Sequence, residues 1–192
     1  MWLIKRKLLF FLFLFIFING YSQENAGEQK PVSMDSLFRK KELEFIGKPF
    51  PPFNTKFNGR TITKDSLKGK VVLINFWFKA CPPCIAELDA LNELYRKFSA
   101  NKDFVFLSFT FEKPADIPVL KKKYKMRYPV ASVDRQECYR LNLGNGFPTS
   151  AILDRQGIIR YFVTGGDHTD KKEARDIVIK RLYPGLIAEL KN

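Results

Sequence analysis

The chain has 192 residues, 45% of them apolar, with 33 lysines and arginines against 20 acids and a formal charge of +13. That length fits one domain with a substantial core, and three cysteines are too few for a small scaffold held together by disulfides. The positive balance points to an acidic partner or an anionic membrane surface, and the export signal described next turns the reading away from nucleic acid.

Lys5, Arg6 and Lys7 precede eleven apolar residues, Leu8 to Ile18, and then the polar stretch NGYSQENAG. This is the layout of a secretory signal, because the apolar run falls short of the ~20 residues that span a bilayer as a helix. Gly20 and Ser22 set small residues ahead of a cut before Gln23, so 1–22 is expected to be a signal peptide, with an uncleaved membrane anchor as the alternative. The expected destination is the periplasm or cell envelope. Residues 23–45 read as a polar N-terminal lead with weak helical character over 33–46, and the domain is expected to occupy 46–192.

From Phe53, the alternation FNTKF, the dipeptide Asn58-Gly59 and then TIT predict a β-hairpin with a tight turn. Lys70 to Phe78, KVVLINFWF, is β-branched, aromatic and almost uniformly apolar, the pattern of a central strand buried on both faces. Pro82 and Pro83 suit the first helical positions, where backbone N–H groups have no intrahelical acceptor, and the helix is expected to run to about Phe98. DFVFLSFT at 103–110 is a second strand, 116–126 a helix, and YPVAS a third strand, a βαβ alternation that favours parallel pairing. The basic run KKKYKMR, 121–127, reads as the solvated face of that helix. TSAILD, the turn RQG and IIRYFVTGG predict a second hairpin, and a last helix from about Asp170 is expected to be interrupted at Pro184-Gly185. The fold class is therefore α/β with a mixed sheet.

Cys81 and Cys84, separated by Pro82-Pro83, fall at the junction of the central strand and its helix. A closed zinc site wants four ligands, and the chain offers this pair, the distant Cys138 and His168. Stability does not need the crosslink in a chain of this size, which leaves redox chemistry. The first sulfur of such a pair sits where unpaired N–H groups and the helix dipole stabilise a thiolate, making Cys81 the expected nucleophile. Cys84, one turn further in, is the expected resolving thiol. Because Pro82 and Pro83 lack N–H groups, donors to Cys81 can come mainly from Cys84 and Ile85, which weakens thiolate stabilisation and favours a reductant or a moderate potential. Lys79 acts in the opposite direction by adding positive charge two residues upstream.

NFWFKACPPC, the hairpin before it, the helix inserted between second and third strands, and GFPTSAILD resemble a thioredoxin-fold, TlpA-like or ResA-like thiol-disulfide oxidoreductase over roughly Ile46 to the C-terminus. The resemblance implies a cis Pro148 beside the cysteines, with the backbone of Phe147 pairing with the substrate chain. It implies disulfide-containing envelope proteins as substrates, with apocytochrome c one example, and an upstream thiol donor that could sit at the membrane. No cofactor and a monomeric state are expected.

On an ideal helix Cys84, Glu87, Leu91, Leu94 and Phe98 share one stripe, so Glu87 points along an apolar face. Burial raises a carboxyl pKa and fits it to exchange a proton with Cys84, the role that the resemblance gives to a glutamate at this place. The alternative is a first-turn glutamate that suits the helix dipole. Asn75 stands where thioredoxin has a proton-transferring aspartate, a job an amide cannot do. Ala80, Asp89 and Phe147 depart from the family pattern and bear on the substrate surface, where Trp77 is also placed, either against substrate or shielding the cysteines. Cys138 is read as a buried apolar residue, with a regulatory or resolving thiol as the alternative, and His168 as an exposed turn residue.

A peroxiredoxin is disfavoured, since it needs a hydroxyl residue four positions and a proline seven positions before its cysteine, where this chain has Trp77 and Ile74. A copper-binding chaperone of the Sco type is the competing class, with His168 its only histidine.

Overall fold

The computed structural model describes residues 34–57, 59–165 and 170–192. The signal segment and His168 lie outside the described residues. Helix α1 covers Met34–Leu43, and strands β1, Asn54–Phe57, and β2, Arg60–Thr63, pair antiparallel as the expected hairpin. Strand β3, Val71–Phe76, leads into helix α2, Pro82–Phe98, followed by β4, Phe104–Thr110. Helix α3, Ile117–Lys123, and strand β5, Val130–Ser132, precede helix α4, Arg135–Leu141. Strands β6, Thr149–Leu153, and β7, Ile159–Thr164, and helix α5, Lys171–Lys191, complete the chain.

The main sheet has the order β5-β4-β3-β6-β7, with β3, β4 and β5 parallel and β6 and β7 antiparallel to their neighbours. It is the mixed, helix-flanked sheet expected from the alternation of elements. Strand β3 lies at its centre and every one of its residues is buried.

Strand alternation splits the core in two. Val71, Leu73 and Trp77 join α2 and α5 on one face, whereas Val72, Ile74 and Phe76 meet Phe50, Phe53, Phe57 and Leu141 on the other. Asn75 shares the parity of Leu73 and Trp77, so its fully buried amide is turned toward α2. The lead segment is tied to the far edge. Glu42 is buried, accepts the N–H of Thr164 at 2.8 Å and pairs with Arg181, and Phe45 packs on Phe162 with ring centres 4.7 Å apart.

Two helix ends differ from the sequence reading. Helix α3 stops at Lys123 rather than continuing to Met126, because Lys125 adopts a left-handed backbone (φ 56°) and the Met126 N–H turns back to the Lys121 carbonyl at 2.9 Å. That is a Schellman ending with lysine in the place usually held by glycine, which hid it from the sequence. Of the basic run, Lys122, Lys123 and Lys125 are exposed as expected, while Lys121 is half-buried and donates to the Tyr128 carbonyl at 2.8 Å.

Helix α5, by contrast, is not interrupted: it passes through Pro184 to Lys191. Pro184 and Lys180, whose carbonyl loses its helical donor, are both exposed, so water can satisfy that carbonyl. Gly185 faces the sheet, and a Cβ there would lie 2.8 Å from Tyr161 Cδ2 and 2.9 Å from Ile152 Cδ1. The glycine lets the helix approach β6 and β7. Gly185→Ala should therefore destabilise the protein despite the better helix propensity of alanine: overpacking costs about 1–3 kcal/mol against a gain of about 1. Urea unfolding should show a lower midpoint with an unchanged slope, and a higher midpoint would mean that the helix shifts freely.

Candidate active site

Helix α2 begins at the cysteine pair. Cys81 is its N-cap, in an extended conformation (φ −107°, ψ 97°), with Pro82 and Pro83 in the first turn. Cys81 and Cys84 form a disulfide; Cys81 retains 4% exposure and Cys84 none. The Cys84 N–H points at Cys81 Sγ from 3.3 Å. The Ile85 N–H is taken by the Cys81 carbonyl at 3.1 Å. Of the two backbone donors expected for the Cys81 sulfur, one is therefore already committed to the helix.

Every member of the expected α2 stripe, Cys84, Glu87, Leu91, Leu94 and Phe98, is buried. Glu87 does not sit alone on it. Asn75 Nδ2 donates to Glu87 Oε1 at 3.0 Å and to Ser150 Oγ at 3.2 Å, and Ser108 Oγ donates to Asn75 Oδ1 at 3.3 Å. The pairing of β3 with β4 and β6 puts Ser108 and Ser150 directly opposite Asn75, so the network follows from register. Burial pushes the Glu87 carboxyl up to about 8, opposed in part by the Asn75 hydrogen bond. It is protonated at neutral pH in the disulfide form.

The Phe147–Pro148 peptide is cis, and Pro148 is buried at the start of β6. Phe147 is half-buried and packs edge-on against Phe78 (5.4 Å), Phe111 (5.6 Å) and Tyr139 (5.4 Å). Trp77 has no exposure and meets the Tyr124 ring edge-on at 6.2 Å within the cluster that holds both cysteines. Its placement on a substrate surface is thereby corrected: strand parity turns it inward, into the cluster on the α2 face of the sheet. Cys138 is fully buried, and burial pushes its thiol up to about 12, which makes it inert. Among the described residues no cluster of three His, Cys, Asp or Glu side chains could hold a metal ion.

The sequence did not reveal the surroundings of Lys79. Its N–H donates to Glu112 Oε1 at 2.8 Å, and its ammonium lies 3.1 Å from Glu112 Oε2 and 3.6 Å from Asp116 Oδ2. The partner carboxylates come from the β4–α3 connection, 33 residues downstream for Glu112, a pairing no local pattern signals. Ser108 and Ser150 did leave a trace, each a small hydroxyl residue in a largely apolar strand.

A dithiol pair at a helix N-terminus, a buried acid one turn away and a cis-proline loop on a mixed five-stranded sheet define a thioredoxin-fold redox protein. The family model described as "AhpC/TSA family" matches residues 46–162, and the chain belongs to this family and to its ResA-type thiol-disulfide oxidoreductases. It is 31% identical over 150 residues to the thiol-disulfide oxidoreductase ResA of Bacillus anthracis, covering 77% of this chain and 84% of that protein. It is 26% identical over 151 residues to the thioredoxin-like protein YneN of Bacillus subtilis, with the same coverage. A thiol:disulfide interchange protein of the thioredoxin family from Chlorobium tepidum superposes with a TM-score of 0.55 at 26% identity, over 71% of this chain and 97% of that one. The enzyme is a thiol-disulfide oxidoreductase of this type. The positions at which a peroxiredoxin would activate a peroxide hold Trp77 and Ile74, both fully buried and without a hydroxyl.

Proposed function

We propose that this oxidoreductase works in the cell envelope, delivered by its N-terminal segment, and reduces disulfides of other envelope proteins, with apocytochrome c the first substrate to test. The Cys81 thiolate attacks one sulfur of a substrate disulfide, forming a mixed disulfide and releasing the other sulfur as a thiolate. Cys84 then loses its proton, attacks Cys81 Sγ and expels the second substrate sulfur. The substrate gains two electrons and two protons, and the Cys81–Cys84 dithiol becomes the disulfide. An upstream thiol donor returns the pair to the reduced state.

The observation that carries the reducing direction is the single free donor to Cys81 Sγ, the Cys84 N–H at 3.3 Å, with Pro82 and Pro83 offering none. A thiolate with few donors is poorly stabilised, and strong oxidants owe their potential to a stabilised reduced form. Phe147 and Pro148 are assigned to hold the substrate chain beside Cys81, the first through its backbone. Glu87 is assigned to manage the proton of Cys84.

Equilibration with glutathione should give a potential nearer that of thioredoxin, about −270 mV, than that of DsbA, about −120 mV. A value at the oxidising end would overturn the reductant reading. Capture from cells with Cys84→Ser identifies the substrate, and capture of proteins without disulfides would remove the envelope-substrate assignment.

A further inference from the structure

Lys79 is the cation closest in sequence to the nucleophile, two residues before Cys81. A free ammonium there would stabilise the Cys81 thiolate and make the protein a weaker reductant. The structure does not leave it free. Glu112 grips Lys79 at two points, taking the backbone N–H with Oε1 and the ammonium with Oε2, and Asp116 adds a second carboxylate. These carboxylates raise the lysine pKa, first through the Glu112 hydrogen bond and then through its charge.

Glu112 is well built for this. It is buried, and its own backbone is fixed by the Thr110 hydroxyl, which accepts its N–H at 3.3 Å, and by the Ser132 hydroxyl, which donates to its carbonyl at 2.5 Å. A carboxylate on a fixed backbone holds both the position of the 77–81 loop and the charge on it. The outer partner, Asp116, is half-exposed.

We propose that Glu112 is a positioning residue for thiol exchange: by clamping Lys79 it withholds a positive charge from Cys81 and so keeps the dithiol strongly reducing. The inference rests on the oxidoreductase reading and deepens it. Other ionisable groups on the surrounding elements are Glu87 and Asp89 on α2, Tyr128 before β5, and Asp134, Arg135, Glu137 and Arg140 at and on α4; Asp89 pairs with Lys171 and Glu137 with Arg140. Glu87 is protonated at neutral pH, and Tyr128 stays neutral because burial, the largest cause, raises its phenol well above the ordinary value. Arg135 is placed over the Phe111 ring, 4.1 Å from its centre. Among these groups Lys79, two residues before Cys81 and held by two carboxylates, is the one on the segment that carries the nucleophile.

Glu112→Gln separates charge from geometry, since the amide oxygen can still accept the Lys79 N–H. The pH profile of Cys81 alkylation in the reduced protein should move to lower pH, and the glutathione equilibrium should shift toward the reduced protein by about threefold, about 15 mV. Lys79→Met, which leaves two carboxylates uncompensated, should move both readouts the other way. The double variant should return close to the parent. Asp116→Asn, at a half-exposed site that poses no folding problem, should act in the direction of Glu112→Gln but more weakly. A clamp that only holds the loop would leave the pH profiles in place, and this result in Glu112→Gln and Asp116→Asn overturns the proposal. So does a double variant that behaves like Glu112→Gln alone, because the effect would then not pass through Lys79. The differences between variants are independent of the parent's absolute potential, so an oxidising parent would sink the reductant reading without deciding the clamp.

Discussion

Replacing Cys84 with serine is expected to turn the enzyme into a trap, and replacing Cys81 with serine to abolish turnover altogether. The asymmetry comes from geometry at the start of α2. Cys81 caps the helix and keeps some exposure, whereas Cys84 is one turn inside and has none. A substrate disulfide can therefore reach the first sulfur and not the second. With Cys84→Ser the first exchange proceeds, but no thiol remains to expel the substrate, so a stable mixed disulfide through Cys81 accumulates. With Cys81→Ser the remaining thiol is buried and lies one turn inside the helix, away from its N-cap. Reduction of a disulfide protein such as insulin should fall in both variants to the rate of the added reductant alone, and mass spectrometry should find the adduct only in Cys84→Ser. Cys138→Ala serves as the control: a fully buried thiol pushed up to about 12 cannot substitute for either cysteine, so exchange should be unchanged. Comparable adduct formation in Cys81→Ser would reverse the roles assigned here.

The parts of this site that were legible in the sequence are those encoded by a local period. The apolar run before Cys81 placed the central strand, and the spacing from Cys84 through Phe98 placed Glu87 on a buried face. Features set by contact between distant segments were not legible. Pro184-Gly185 looks like an interruption when only propensity is considered. In the fold the proline faces water and the glycine meets Tyr161 and Ile152, so the same dipeptide allows the helix to lie close on the sheet. Trp77 was misplaced for a related reason: strand parity turns it to the α2 face, and aromatic character alone does not distinguish a shield from a surface. Lys79 and Glu112 meet across the gap between β3 and the connection after β4, and neither residue has an unusual local setting.

Glu87→Gln is expected to slow resolution of the mixed disulfide while stabilising the fold at neutral pH. When Cys84 attacks, it must lose a proton in a fully buried site, where a thiol's ordinary pKa of ~8.5 rises further. A carboxyl raised to about 8 by burial accepts that proton through its ionised fraction, a minority at pH 7 that grows toward pH 8, whereas an ordinary carboxylate near 4.5 is too weak a base. Asn75 holds Glu87 by an amide, which orients the carboxyl and cannot exchange protons itself. Glutamine keeps the acceptor for that amide and removes the base. Release of substrate from Cys81 should therefore slow across neutral pH, while the first attack changes less. The stability test is independent of catalysis. With its folded-state pKa raised, Glu87 is protonated in the native disulfide form and ionised in the unfolded chain over pH 4.5 to about 8, so folding there takes up a proton. Its contribution is fully present below about pH 4.5, is lost as pH rises through that window, and levels off above about 8. At roughly 1.4 kcal/mol per pH unit the loss reaches about 3 kcal/mol near neutrality. Urea unfolding of the oxidised proteins should thus show parent and Glu87→Gln alike near pH 4 and the variant progressively more stable toward pH 8. Parallel stability curves, together with unchanged release kinetics from pH 5 to 9, would show that Glu87 neither carries a raised pKa nor handles the proton of Cys84.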